Sequence, residues 1–159
     1  MITRVVFWGA AGAGKSALAQ RLLALRHASA AGDAPACVLP PATQLADLFE
    51  GEVDARALEQ GSRGAASVVI VVDALGAVPP ALTVYARVLG RLGASRVAVA
   101  VNRLDLARDA QVAYAAACRG FLRSWPGRTP VFAPVSAVRG DGVPALAALL
   151  RVWTEGIAG

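Results

Sequence analysis

Gly9-Ala10-Ala11-Gly12-Ala13-Gly14-Lys15-Ser16 follows directly on the run Thr3-Arg4-Val5-Val6-Phe7-Trp8, and the reading of the whole chain starts there. The stretch fits G-x-x-x-x-G-K-[ST] at every fixed position. A strand delivered into such a turn can aim successive N–H groups at one anion, because Gly9, Gly12 and Gly14 bend without a Cβ clash. A helix beginning near Lys15 adds its unpaired first-turn amides and positive dipole end. Lys15 is the only lysine; every other basic residue is Arg. The position therefore calls for a compact point charge in place of a rigid planar fork. These features predict a nucleotide-phosphate site of Gly9, Ala10, Ala11, Gly12, Ala13, Gly14, Lys15, Ser16 and Ala17. The Ser16 hydroxyl is placed to ligate Mg2+, and Lys15 is the candidate catalytic cation. With no structural partner evident for the ammonium, Lys15→Ala is expected to weaken binding and spare the fold.

Outward from the loop, short runs rich in β-branched residues alternate with longer segments of helical spacing. Val5 to Trp8, Ser67 to Val72, Arg96 to Val101 and Thr129 to Val135 read as buried strands. Ser16 to about His27, Ala81 to Leu92, Leu106 to Ser124 and Pro144 to about Thr154 read as helices. A repeated β-α order implies a three-layer α/β/α sandwich with a mostly parallel sheet, whose ligands gather at the carboxyl ends of the strands. The 159 residues suit a single domain over 1–159 with a substantial core.

The net charge of +5 is spread out, apart from a loose Arg-rich stretch from Arg87 to Arg139 that reads mainly as solvated helix faces. No interleaved aromatic and basic motif accompanies it, so nucleic acid is not the expected partner. Cys37 and Cys118 are isolated, which predicts reduced thiols in the cytoplasm and neither a disulfide framework nor a metal cluster. The opening residues pass straight into strand and loop, without the pattern of a secretory signal. Ala65 to Ala86 is apolar, yet Asp73, Gly76 and Pro79-Pro80 break it where a strand would end, so no membrane span is expected. Trp8 and Trp153 read as core.

Two further strand ends carry chemistry. After Val101 stands Asn102-Arg103-Leu104-Asp105, and after Val135 stands Ser136-Ala137-Val138-Arg139-Gly140-Asp141-Gly142-Val143. Alone, the first would serve as a strand-to-helix turn with an Asn or Asp cap, and the Gly140-Asp141-Gly142 turn is ordinary turn chemistry. With the glycine loop before them, both in order and each after a strand, the chain resembles the P-loop GTPases, in particular their translation-factor-like and Era-like bacterial branch. That family carries N/T-K-x-D and S-A-x-x-G-x-G at these places, and the resemblance covers most of the chain.

The resemblance implies a P-loop NTPase fold binding GTP or GDP with Mg2+, and a protein effector or partner. It gives Asn102 the guanine edge and the bracing of the phosphate loop. Asp105 accepts from guanine N1–H and the 2-amino group, and a backbone amide around Ser136-Ala137, in a segment that includes Val138, donates to O6. Arg103 stands where the family has Lys, its stem and flat guanidinium covering the base face. Adenine offers Asp105 no two-donor edge and turns its 6-amino group toward an amide donor. Lost charged hydrogen bonds at roughly 1.5–3 kcal/mol each discriminate strongly.

The family's D-x-x-G, whose Asp holds the Mg2+ shell, does not stand at the expected place. Family spacing lands on Asp47-Leu48-Phe49-Glu50, the proline of a D-x-P-G on Leu39-Pro40-Pro41-Ala42, and neither keeps both Asp and Gly. The literal match, Asp73-Ala74-Leu75-Gly76, lies too near Asn102, with room for one helix and one strand only. Asp73 and Asp47 both stay open as metal-shell groups. The first switch is short, around one brief strand, Ala36 to Leu39. Thr43 is its sole candidate Mg2+ threonine, and Gln44 the one candidate to orient water, although Gln44, Leu45, Leu48 and Phe49 suggest an amphipathic helix. The resulting expectation is a GTPase-like switch with slow or partner-dependent hydrolysis; a pseudo-GTPase scaffold and a P-loop ATPase or kinase are the alternatives.

Overall fold

The computed structural model describes residues 3–10, 12–30, 43–47 and 54–158. Five strands, β1 (Thr3–Trp8), β2 (Thr43–Asp47), β3 (Ser67–Asp73), β4 (Val97–Asn102) and β5 (Val131–Pro134), form one sheet in the order β2-β1-β3-β4-β5. Every adjacent pair is parallel, so the described sheet is parallel throughout. The helices are α1 (Lys15–Ala30), α2 (Ala55–Ser62), α3 (Leu82–Leu92), α4 (Ala110–Ser124) and α5 (Val143–Ala158), with a 3₁₀ turn at Leu104–Leu106.

The two sheet faces bury different residues. On one, Val5, Phe7, Val69, Val71, Ala98 and Ala100 pack with Leu18 and Leu22 of α1 and Leu146 and Leu150 of α5. On the other, Val6, Trp8, Val68, Ile70, Val72, Val99 and Val101 meet Leu58 of α2, Tyr85 and Val88 of α3, and Phe121 of α4. This is the expected three-layer sandwich. A strand covered on both faces has no polar side to show, which is why Val68 to Val72, within β3, reads as an unbroken apolar run. Each fully buried Val, Ile or Leu contributes about 1.5–3 kcal/mol. Trp8 lies in this core, and Trp153 packs partly buried against the α1/α5 side.

Several boundaries differ from expectation. The segment carrying Gln44 and Leu45 is not an amphipathic helix: Thr43–Asp47 is the edge strand β2, pairing with β1 from Thr3↔Thr43 to Phe7↔Asp47. Five residues with only Leu45 and Ala46 apolar are too short to show a period, and pairing with the edge of β1 resolves them as a strand. The Ala36 to Leu39 strand, Leu48, Phe49, Cys37 and Ala11 lie outside the described residues. Helix α2 escaped the sequence reading, although Asp54 caps it by accepting from Arg56 N–H at 2.9 Å. Helix α4 begins at Ala110, not Leu106, because Asp109 caps Val112 N–H at 3.1 Å. Strand β5 begins after Pro130, which has no N–H to give a ladder. Among the described residues, no helix is long and apolar enough to cross a membrane.

Candidate functional site

Three loops leave the carboxyl ends of β1, β4 and β5 on one edge of the sheet. The first is the glycine stretch. A Cβ on Gly9 would come within 2.5 Å of the Val71 carbonyl oxygen, and one on Gly14 within 2.3 Å of Asn102 Nδ2. Gly14 also holds φ +98°, so both backbone and space exclude a larger residue. Lys15 opens α1 and is 4% exposed. Its Nζ donates to the Gly9 and Ala10 carbonyls at 3.0 and 3.1 Å. The expectation that this ammonium lacks structural partners is therefore wrong: two of its three donors hold the loop, leaving one for a phosphate oxygen. Ser16 and Ala17 stand exposed in the first turn of α1, which carries no acidic residue to oppose an anion.

The root of this loop is braced from the opposite layer. Trp8 donates through Nε1 to Ser62 Oγ of α2 at 3.0 Å, and its ring lies 5.3 Å from that of Tyr85 on α3. Burial pushes the Tyr85 phenol pKa up, while a hydrogen bond with the Gly9 backbone pulls it down. The sequence reading did not assign Ser62 and Tyr85 to the site; the only signal was a large aromatic directly before the loop.

Asn102, at the end of β4, is 3% exposed. Its Nδ2 donates to the Ala13 carbonyl and its Oδ1 accepts from Ala137 N–H, both at 3.0 Å. One partner only accepts and the other only donates, so the carboxamide orientation is fixed. The bracing role read from the sequence is realised in this geometry. The Ala137 amide, expected to face a base carbonyl, is committed to Asn102 instead. The next amide, Val138 N–H, has no acceptor among the described residues.

The loop after β5 is built tightly. Ser136 Oγ accepts from Arg139 N–H at 3.1 Å, and Ser136 N–H donates to the Asp141 carbonyl at 2.9 Å. Gly142 has φ +74°, and a Cβ there would fall 2.0 Å from the Pro134 carbonyl oxygen. Arg21 of α1 reaches this loop, donating through Nε to Ala137 O at 2.8 Å and through NH2 to Val138 O. Arg21 was not legible in the sequence, because the contact spans elements far apart in the chain. Asp105, in the 3₁₀ turn, lines a cavity of about 540 Å³ together with Leu104, Arg108, Ser136 and Arg139. The candidate base-edge acid and Ser136 are thus brought together.

The other candidates divide. Asp73 ends β3; its Oδ1 accepts from Leu75 N–H and its Oδ2 from Arg103 NH1, both at 2.9 Å. Arg103 itself has a left-handed backbone, φ +69°. Asp47 ends β2 in register with Phe7, on the far side of β1 from Asp73. Thr43 and Gln44 start β2, Thr43 roughly 13 Å from the carboxyl end at the usual strand rise. They sit at the opposite sheet edge from the phosphate loop, which removes both from metal binding and water positioning. Among the described residues no group of three or more His, Cys, Asp and Glu could hold a metal.

No protein-family model matches this sequence, and no curated protein matches it. Solved structures do resemble it. A probable GTP-binding protein engB aligns with TM-score 0.66 at 19% identity, covering 97% of this chain and 99% of that one. SsGBP in complex with GDP aligns with TM-score 0.69 at 15% identity, over 99% of this chain and 51% of that one; this chain spans about half of SsGBP's length. At such identities the likeness speaks for architecture alone: the chain shares its parallel α/β sandwich with these structures.

Proposed function

We propose that this chain binds GTP and GDP with Mg2+ and hydrolyses GTP slowly, or only when a protein partner completes the site. The observation that carries the reading is the Asn102 carboxamide, which ties the phosphate loop to the base loop by one donated and one accepted hydrogen bond. In this reading the remaining Lys15 donor and the first-turn amides of α1 hold phosphate oxygens. Asp105 takes the two-donor edge of guanine, and Val138 N–H replaces Ala137 N–H as the donor to O6.

Mg2+ keeps several waters and needs few protein ligands beside phosphates. Ser16, an exposed residue in the first turn of α1, fits that demand through its hydroxyl, and Asp47, at the carboxyl end of β2 beside β1, is our candidate for the outer shell. When bound, the ion neutralises charge on the phosphates. Hydrolysis also needs a group that orients water. Thr43 and Gln44 start β2, far from its carboxyl end, and in our reading a partner supplies the role, its arginine finger or ordering surface being worth about 10³–10⁵ in rate. We place the protein in the cytoplasm, in keeping with the free thiol of Cys118.

Calorimetric titration of nucleotide-stripped protein with GDP, GTP and ATP, each with and without Mg2+, tests the proposal. Binding of guanine nucleotides alone is the expected result. Binding of ATP alone would assign an ATPase or kinase, and failure of all three would leave a protein-binding scaffold on this fold. A fast single-turnover rate without a partner would overturn the hydrolysis part.

A further inference from the structure

Asp73-Ala74-Leu75-Gly76 matches D-x-x-G literally, yet its geometry serves another purpose. The Asp73 carboxylate is first oriented by its own turn, Oδ1 accepting from Leu75 N–H at 2.9 Å while Gly76 N–H donates to the Asp73 carbonyl at 3.2 Å. Its second oxygen is thereby presented to Arg103, which donates at 2.9 Å. The pair crosses between neighbouring strand ends: Asp73 is in register with Asn102, and Ala74 N–H donates to the Asn102 carbonyl at 2.9 Å. Arg103 is the only non-glycine residue with positive φ among the described residues. Such a conformation in an L-residue costs on the order of 1 kcal/mol and persists where its surroundings hold it. Asn102, the preceding residue, is bonded to the Ala13 carbonyl of the glycine loop, and the next two residues, Leu104 and Asp105, line the cavity that also holds Ser136, so the Arg103 backbone is fixed from both sides.

Resting on the guanine reading above, we propose that Asp73 is a positioning residue of the base site, holding the Arg103 guanidinium so that its stem and plane cover the base face. An Arg at this place needs an anchor because its long side chain carries more rotamer freedom than a fixed cover allows. Asp73 acts through Arg103 and touches neither phosphate nor metal.

The test is a double-mutant cycle on GDP affinity with Asp73→Asn, Arg103→Ala and the double variant, each measured with Mg2+ and with EDTA. Melting temperatures without nucleotide serve as the structural control. Expected are a loss of about fivefold for Asp73→Asn, typical of a partly exposed ion pair, and a double variant no weaker than Arg103→Ala alone. The loss should be the same with and without Mg2+. Asp73→Glu, which keeps the carboxylate, should stay within about twofold of wild type, and it carries the test if Asp73→Asn melts early. Additive losses, no loss, or a loss seen only with Mg2+ would overturn the proposal while leaving guanine binding intact. Wild-type protein that does not bind GDP would overturn the guanine reading and this inference together.

Discussion

Gly14 shows how a single missing Cβ connects the two halves of the site. Its absent side chain is what lets Asn102 Nδ2 reach the Ala13 carbonyl, since a Cβ there would sit 2.3 Å from that nitrogen. Gly14→Ala therefore meets a left-handed backbone and a buried carboxamide at once. We expect it to displace Asn102, to cost about 1–3 kcal/mol of stability from the unpaired polar groups, and to weaken GDP at least tenfold; chemical denaturation and calorimetry check both. Lys15→Ala is expected to be less neutral for the fold than its sequence context implied. Removing the ammonium leaves the Gly9 and Ala10 carbonyls without their donor, so a loss of roughly 1 kcal/mol in nucleotide-free protein accompanies the loss of binding.

Between elements, the link that stands out is Arg21, which ties α1 to the loop after β5 through two consecutive carbonyls. The link joins α1 directly to the loop after β5. Arg21→Ala is expected to speed amide hydrogen exchange across residues 136–142 and to raise the GDP dissociation rate several-fold, with Arg21→Lys intermediate because it restores one donor without the fork. Helix α4 carries a pH signature of its own. The Tyr114 phenol is pushed up to about 12 by burial first, and then by the charge of and hydrogen bond with Cys118, whose own pKa is also raised by burial. A raised acid pKa means the folded state favours the neutral phenol. Its contribution is fully present below the unfolded value of 10.0 and is lost as pH rises from there toward 12. Tyr114→Phe should flatten that part of the decline in melting temperature measured between pH 9 and 11. No change of slope would show that Tyr114 does not titrate differently on folding.

Across the whole molecule, the legible parts were those written in local sequence. Gly9 to Ser16, Asn102 to Asp105 and Ser136 to Val143 each declare themselves within a few residues, and both faces of β3 and β4 are apolar enough to announce burial. What stayed hidden depends on distance in the chain: Arg21 meeting Ala137, Tyr85 and Ser62 bracing Trp8 and Gly9, and Asp73 occupied by Arg103. Strand β2 reads as helix in sequence because its five residues are decided by pairing with the β1 edge, not by a period of their own. The parallel order brings the three legible loops to one edge, so a ligand bridging them should stabilise the entire fold. At a concentration of about 100 Kd a ligand adds roughly 2.7 kcal/mol, which in a domain of this size, at about 2–4 °C per kcal/mol, raises the melting temperature by about 5–11 °C. GDP is expected to give that shift and ATP none. Asp105→Asn should transfer the shift from GDP to xanthosine diphosphate, because the new amide N–H2 donates to the C2 carbonyl of xanthine while its oxygen still accepts from N1–H. A GDP shift that survives Asp105→Asn would take Asp105 out of the site and return the Asn102 to Asp105 segment to a simple strand-to-helix turn.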